Sequence, residues 1–277
     1  MPSMLSTHTP AQYTADIQGY PIHYTETGSG EILLLIHGSL CDYRYWRWQL
    51  PALSQHYRVV APSLRGFWPA AFTRRESAFN IAQHTSDMIA FARQLGDGQP
   101  IHVLGHSRGA QVALGLACEA PDLVCSLALA DPGFRLTHET PGFPFHITTV
   151  ATLLERGEVE PALAEFVDAV NGAGTWRQMV GWFKTMVTDN AYTLLSQVEE
   201  DNPGIDLERA RQLQCPILLI GGANSPARYG SRLDILENTW PQATRITIPL
   251  ASHGMNLANP KAFNQGLLNF LAETTRL

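Results

Sequence analysis

Charge is scarce in this 277-residue sequence: 16% of residues are charged, the formal net charge is −6 at pH 7, and no dense run of Lys or Arg occurs. Nucleic-acid binding needs a basic patch, so that class of partner is excluded. Cysteine is scarce too. Cys41, Cys118, Cys125 and Cys215 include no C-x-x-C pair, which speaks against a zinc ribbon and a disulfide framework. Cys118 and Cys215 lie in apolar stretches and read as small core residues, whereas Cys41 falls in a loop beside the candidate site. No segment reaches the roughly 18 consecutive apolar residues of a membrane span. The opening MPSMLSTHTPAQYTAD lacks the basic-then-apolar order of a secretory leader, so a cytoplasmic chain without a membrane partner is expected. A phosphate-binding glycine loop, a dinucleotide fingerprint and a metal-ligand cluster are missing as well, which implies no cofactor. Any chemistry must come from side chains.

What is present is a core: 45% of residues are hydrophobic. Polar–apolar alternation over residues 13–28, broken at Gln18-Gly19, predicts a hairpin. Short apolar runs then follow at 32–36, 58–61, 101–104, 124–130, 217–220 and 244–248, the pattern of strands covered on both faces. Between them, Ile81, Thr85, Met88, Ile89, Ala92 and Leu95 recur at helical spacing, with Gly96 the expected left-handed C′ residue. Further helices are expected over 109–120, closed by Pro121, and over 260–272. This alternation predicts an α/β fold with a doubly wound, mostly parallel sheet. It breaks after the sixth strand, where 134–204 read as a helical insertion, leaving 1–133 and 205–277 as the core.

Leu104-Gly105-His106-Ser107-Arg108-Gly109 sets G-x-S-x-G between an apolar strand and an amphipathic helix. In that setting the glycines permit a tight, strained turn that pushes the serine Oγ outward. The Arg108 amide follows the nucleophile at the head of the helix and is one expected oxyanion donor. Ser39, after Ile36-His37-Gly38, supplies the other. His37 reads as a structural residue of that loop, and His106 is expected to point away from the chemistry. His253, in Ala251-Ser252-His253-Gly254 between the last strand and the last helix, is the expected general base.

The HG loop, the G-H-S-x-G elbow and the late histidine, in this order, resemble the α/β-hydrolase-fold superfamily across nearly the whole chain. The resemblance implies that the insertion after the sixth strand is a cap closing over the substrate. Ser63-Leu64-Arg65-Gly66 departs from the Asp-x-Arg-Gly common in that family, in a loop that is mainly structural. A second departure is sharper. The family's acid usually follows the seventh strand, where this chain reads Gly221-Gly222-Ala223-Asn224-Ser225-Pro226 without a carboxylate. Some relatives in the superfamily carry the acid after the sixth strand, where Asp131 precedes Pro132-Gly133. Asp131 is thus the expected third member of a triad, although Asp before Pro-Gly is also a common turn residue. Asp234 is expected in a helix, too far from His253.

Aromatic residues gather near the expected mouth: Tyr43, Tyr45, Trp46, Trp48, Phe67 and Trp68 on loops, and Phe134, Phe143, Phe145, Trp176, Trp182 and Phe183 in the insertion. Trp46, Phe134 and Trp182 are the expected substrate contacts, and an apolar or aromatic small molecule the expected substrate. Arg135 and Arg228 are solvated or meet a substrate carboxylate. The leading reading is a serine hydrolase of a small ester or related acyl bond. The resemblance leaves open a cofactor-independent ring-cleaving dioxygenase of the same fold and a ligand-binding member with little turnover, while dehalogenation would need a carboxylate where Ser107 stands. Homodimer formation stays open.

Overall fold

In the computed structural model, which describes residues 12–70, 79–137, 147–200, 202 and 204–274, the chain forms eight strands. These are β1 (Gln12–Ile17), β2 (Tyr20–Thr27), β3 (Ile32–Ile36), β4 (Arg58–Pro62), β5 (Ile101–His106), β6 (Val124–Ala130), β7 (Ile217–Gly222) and β8 (Thr244–Ile248). They build one sheet in the order β1-β2-β4-β3-β5-β6-β7-β8. The β1–β2 hairpin turns at Gln18-Gly19, both at positive φ, and β2 runs antiparallel to β4. All pairings from β4 to β8 are parallel.

The apolar runs form strands because both faces of the central sheet are covered. Leu33, Leu35, Val59 and Leu104 enter one apolar cluster, while Leu34, Ile36, Val60 and Val103 enter the other. Helices Ile81–Gly96 and Arg108–Glu119 pack on the second face, and helix Pro260–Thr274 on the first. Asn80 caps the first of these helices by accepting from the Gln83 amide at 2.8 Å. The expected left-handed residue at Gly96 is a correction: Gly96 stays helical, and the reversal falls at Asp97 (φ 49°) and Gly98 (φ 80°). Gly96 instead lets the helix lie against β5, since a Cβ there would sit 3.3 Å from Ile101 Cγ2.

Between β6 and β7 the described chain is helical, with Ile147–Glu155, Val159–Asn171, Gly181–Asp189 and Thr193–Glu199 the longer pieces. A single parallel bridge, Leu136 to Ile205, brings the two ends of this segment together. Phe166, Met186 and Leu194 of these helices join the cluster that holds Leu35 and Leu218 of the sheet. The segment therefore roofs the carboxyl-edge loops. No helix among the described residues is long and apolar enough to cross a membrane. Phe143 and Phe145 lie outside the described residues.

Candidate active site

The candidate site is built where β3, β5, β6, β7 and β8 end, in the turns that carry Ser39, Ser107, Asp131, Ser225 and His253. β5 runs into Ser107, which takes φ 55° and ψ −121° before helix Arg108–Glu119 begins. A side chain in this region of backbone space is strained, and the neighbours impose it. Gly109 makes the turn fit, for a Cβ there would lie 2.3 Å from the Ile36 carbonyl oxygen. The end of β6 packs directly on the turn, with Ser107 N donating to Ala130 O at 3.0 Å and Gly133 N to Ser107 O at 3.1 Å. Ser107 and His253 line one cavity of about 430 Å³. Among the described residues, no hydrogen bond joins Ser107 Oγ to His253.

Asp131 leaves β6 at φ 37°, fully buried, with its amide bonded to Ile220 O of β7. Its Oδ2 accepts from His253 Nδ1 at 3.3 Å and from Ser225 Oγ at 2.5 Å. A carboxylate can only accept from Nδ1, so Nε2 is left with its lone pair. Loss of water pushes the Asp131 carboxyl up from 3.8 to about 6, although the Ser225 hydroxyl favours its charged form. Burial pushes the His253 imidazole down from 6.5 to about 3, and the Arg228 charge adds to this. Tyr229, itself buried, stacks on the imidazole at 4.0 Å and 13°. Asp131 thus meets the imidazole as well as making its turn, and GGANSP contributes the Ser225 hydroxyl to this carboxylate on the neighbouring strand's end.

The Arg108 amide heads its helix directly after the serine, and Ser39 lines the same cavity as Ser107. Neither the Ser39 amide nor the Arg108 amide has a hydrogen-bond acceptor among the described residues. Gly133 keeps this space open: a Cβ there would lie 3.2 Å from Ser107 Oγ and 3.5 Å from Arg108 N. His37 holds the loop, as expected, donating from Nδ1 to Gly38 O (2.8 Å) while Nε2 accepts from the Leu64 amide (3.0 Å). Burial lowers it to about 4, so it remains neutral in that role.

With this geometry in view, comparison places the chain among known proteins. Residues 33–265 match the model of the "Alpha/beta hydrolase family". The chain belongs to the alpha/beta hydrolase family. It is 24% identical over 255 residues to an (E)-2-((N-methylformamido)methylene)succinate hydrolase of Acinetobacter baylyi, covering 91% of this chain and 94% of that protein. It is 25% identical over 268 residues to a putative carbamate hydrolase of a Caulobacter species, covering 94% and 97%. Among solved structures, the enol-lactonase from Burkholderia xenovorans LB400 superposes with a TM-score of 0.79 at 19% identity, covering 94% of this chain and all of that one. A bromoperoxidase from Bacillus anthracis gives 0.77 at 21% identity, covering 95% and 100%.

Several expectations about this alpha/beta hydrolase need correction in detail. Trp182 lines the cavity, but Trp46 is fully buried in the core and Phe134 packs on the opposite face of the sheet. The neighbouring ring, Trp48, lines the cavity in place of Trp46. His106 does not point away: it lines the cavity and donates from Nε2 to His253 O at 2.8 Å. Arg228 donates to Ala169 O at 2.8 Å and Arg135 to Asn202 O at 2.5 Å, so both tie chain segments together. Cys118 and Cys215 are only partly buried, while Cys41 is buried and lines the cavity. Asp234 sits in helix Ala227–Thr239 and pairs with Arg245. Ser225, Tyr229 and Gly133 are site residues that sequence reasoning missed. Ser225 left one signal, a hydroxyl where a carboxylate was sought.

Proposed function

We propose that this protein is a serine hydrolase that cleaves a small ester or related acyl bond through an acyl-enzyme. Ser107 attacks the carbonyl, His253 Nε2 takes the serine proton and passes it to the leaving group, and Asp131 orients and charge-balances the imidazole. The amides of Ser39 and Arg108 hold the oxyanion. The observation that carries the reading is a strained Ser107 at the head of a helix, in one cavity with Ser39 and with the His253 of a buried His253–Asp131 pair. Hydrogen bonds of this kind are often loose before substrate arrives and tighten in the complex.

On this reading the helical segment 134–204 acts as the cap of a core made by 1–133 and 205–277. Helices Val159–Asn171 and Gly181–Asp189 supply cavity walls through Phe166, Val167, Trp182 and Phe183. Among the described residues no Asp, Glu, Lys or Arg lines the cavity. Against walls such as Phe166, Val167, Trp182 and Phe183, the acyl or alcohol part it encloses is apolar or aromatic.

Turnover of a short-chain p-nitrophenyl ester panel by wild type and Ser107→Ala tests the proposal. A loss of ~10⁴–10⁶ in kcat is expected in the variant, and an equal rate in both would overturn it. A second reading draws on the missing Ser107–His253 bond: His253 would deprotonate a hydroxylated heteroaromatic directly, in a cofactor-independent ring cleavage. Oxygen uptake without covalent labelling of Ser107 would select that reading.

A further inference from the structure

Both residues that offer oxyanion amides are gripped, through their side chains, by one short stretch of the segment between β6 and β7. Ser39 Oγ donates to Gln197 Oε1 at 2.6 Å. Arg108 makes a two-pronged pair with Glu200, NH1 to Oε1 at 2.5 Å and NH2 to Oε2 at 2.6 Å. These contacts are sequestered: Gln197 is 1% exposed, and the Arg108 and Glu200 side chains are 6% and 2% exposed. Gln197 lies in the last turn of helix Thr193–Glu199, and Glu200 follows that helix directly. The stretch itself does not line the cavity.

A buried ion pair adds little net stability, because desolvating two charges offsets most of their attraction. Its geometric effect is larger. Two parallel bonds fix a guanidinium in plane and direction, and Arg108 is the residue whose amide follows the nucleophile. Likewise a 2.6 Å bond on Ser39 restrains a loop residue that sits between Gly38 and Leu40, the latter at φ 60°. Oxyanion stabilisation depends on donors already in place before charge develops, so tenths of an ångström at either amide alter the rate.

We propose that Gln197 and Glu200 are positioning residues that set the spacing of the Ser39 and Arg108 amides, making the end of helix Thr193–Glu199 a strut for the oxyanion hole. The inference rests on the acyl-transfer reading above. Neither side chain touches substrate. Loosening either grip weakens binding of the tetrahedral oxyanion and leaves binding of the planar ester unchanged.

The test compares wild type, Gln197→Met, Glu200→Gln, Ser39→Ala and the double variant Ser39→Ala/Gln197→Met on p-nitrophenyl butyrate, with phenylboronic acid as the tetrahedral probe on Ser107. Each single variant is expected to lose roughly 10-fold to 100-fold in kcat with KM within about threefold. Inhibition by the boronic acid should weaken by the factor lost in kcat/KM. Since Ser39→Ala and Gln197→Met break the same bond from two ends, the double variant should be no slower than the slower single. Ser39→Ala alters one small loop side chain and keeps the test open if Gln197→Met does not fold. Ser107-dependent turnover undiminished in these variants would overturn the strut alone, as would a loss in Ser39→Ala not shared by folded Gln197→Met. Absence of Ser107-dependent turnover in wild type would overturn the acyl-transfer reading and the strut with it.

Discussion

At Asp131 the proposed function and the stability of the fold pull on one carboxyl. Its carboxyl is raised to about 6 by burial, so the folded protein binds this proton more readily than the unfolded chain does. The associated stability is present in acid and is lost as pH rises through about 6, which leaves the ionised group as a cost at neutral pH. Asp131→Asn removes that cost and suits the positive φ, for which Asn is well adapted. Thermal melts at pH 7.5 should therefore show Tm unchanged or higher, while kcat falls by about 10³–10⁴ because the imidazole loses its counter-charge and tautomer. In wild type, kcat/KM should fall as pH drops through about 6, when a proton enters the His253–Asp131 pair and disables the base. At Gly133, substitution by Ala crowds Ser107 Oγ and Arg108 N. A loss of roughly 10-fold or more in kcat is expected, with slower labelling of Ser107 by a fluorophosphonate and little change in Tm.

Between elements, polar clamps on buried groups hold the helices above the sheet edge. Asp42, fully buried at the start of the loop turn after β3, accepts from Arg44 Nε at 2.9 Å, from Arg44 NH2 at 2.6 Å and from Asn190 Nδ2 at 2.8 Å. Asn190 in turn accepts from the Trp68 amide at 2.8 Å, and Arg44 reaches Asp189 at 2.9 Å. Removing the carboxylate leaves several buried donors unsatisfied. Asp42→Ala should lower unfolding free energy by about 2–4 kcal/mol, read from urea titration by circular dichroism. Arg65 plays a similar part below, paired two-pronged with buried Asp87 at 2.7 and 2.8 Å, which gives Ser63-Leu64-Arg65-Gly66 its structural role.

Across the whole molecule, one apolar cluster joins the sheet, helix Pro260–Thr274 and the helices between β6 and β7. A helical segment that shared no core with the sheet would melt by itself. Here Phe166, Met186 and Leu194 are buried in the same cluster as Leu35 and Leu218, so unfolding should be a single transition. Tryptophan fluorescence of a variant with Trp46, Trp48, Trp68 and Trp240 replaced by Phe, which leaves Trp176 and Trp182 as the emitters, and far-ultraviolet circular dichroism should give coincident urea midpoints. Two separated midpoints would show that the helical segment is an independent unit.

Much of this architecture was legible in residue order, because strands buried on both faces must be apolar throughout and crossover helices must show a 3.6-residue period. ILLLI, IHVL and the 81–95 pattern declared themselves in that way, as did the strand–turn–helix setting of Ser107. Local sequence decided less well where neighbours compete. In sequence Gly96 reads as a helix stop, but packing against Ile101 claims it, and Asp97 makes the turn instead. Trp46 and Trp48 lie two residues apart with the same chemistry, and only the fold buries one and gives the other to the cavity. The acid is the clearest case. An Asp before Pro-Gly meets a local turn preference as well as a catalytic need. Only three-dimensional proximity brings Asp131 to Ser225, in the loop after β7, and to His253, in the distant loop after β8. Thus sequence alone determined the family fold and the strand–turn–helix setting of Ser107, since these follow from local periodicity and turn chemistry. Tertiary structure decided which carboxylate faces the imidazole, which aromatics wall the cavity and which helix end grips the side chains of Ser39 and Arg108, because those relations join residues about 90 to 160 positions apart.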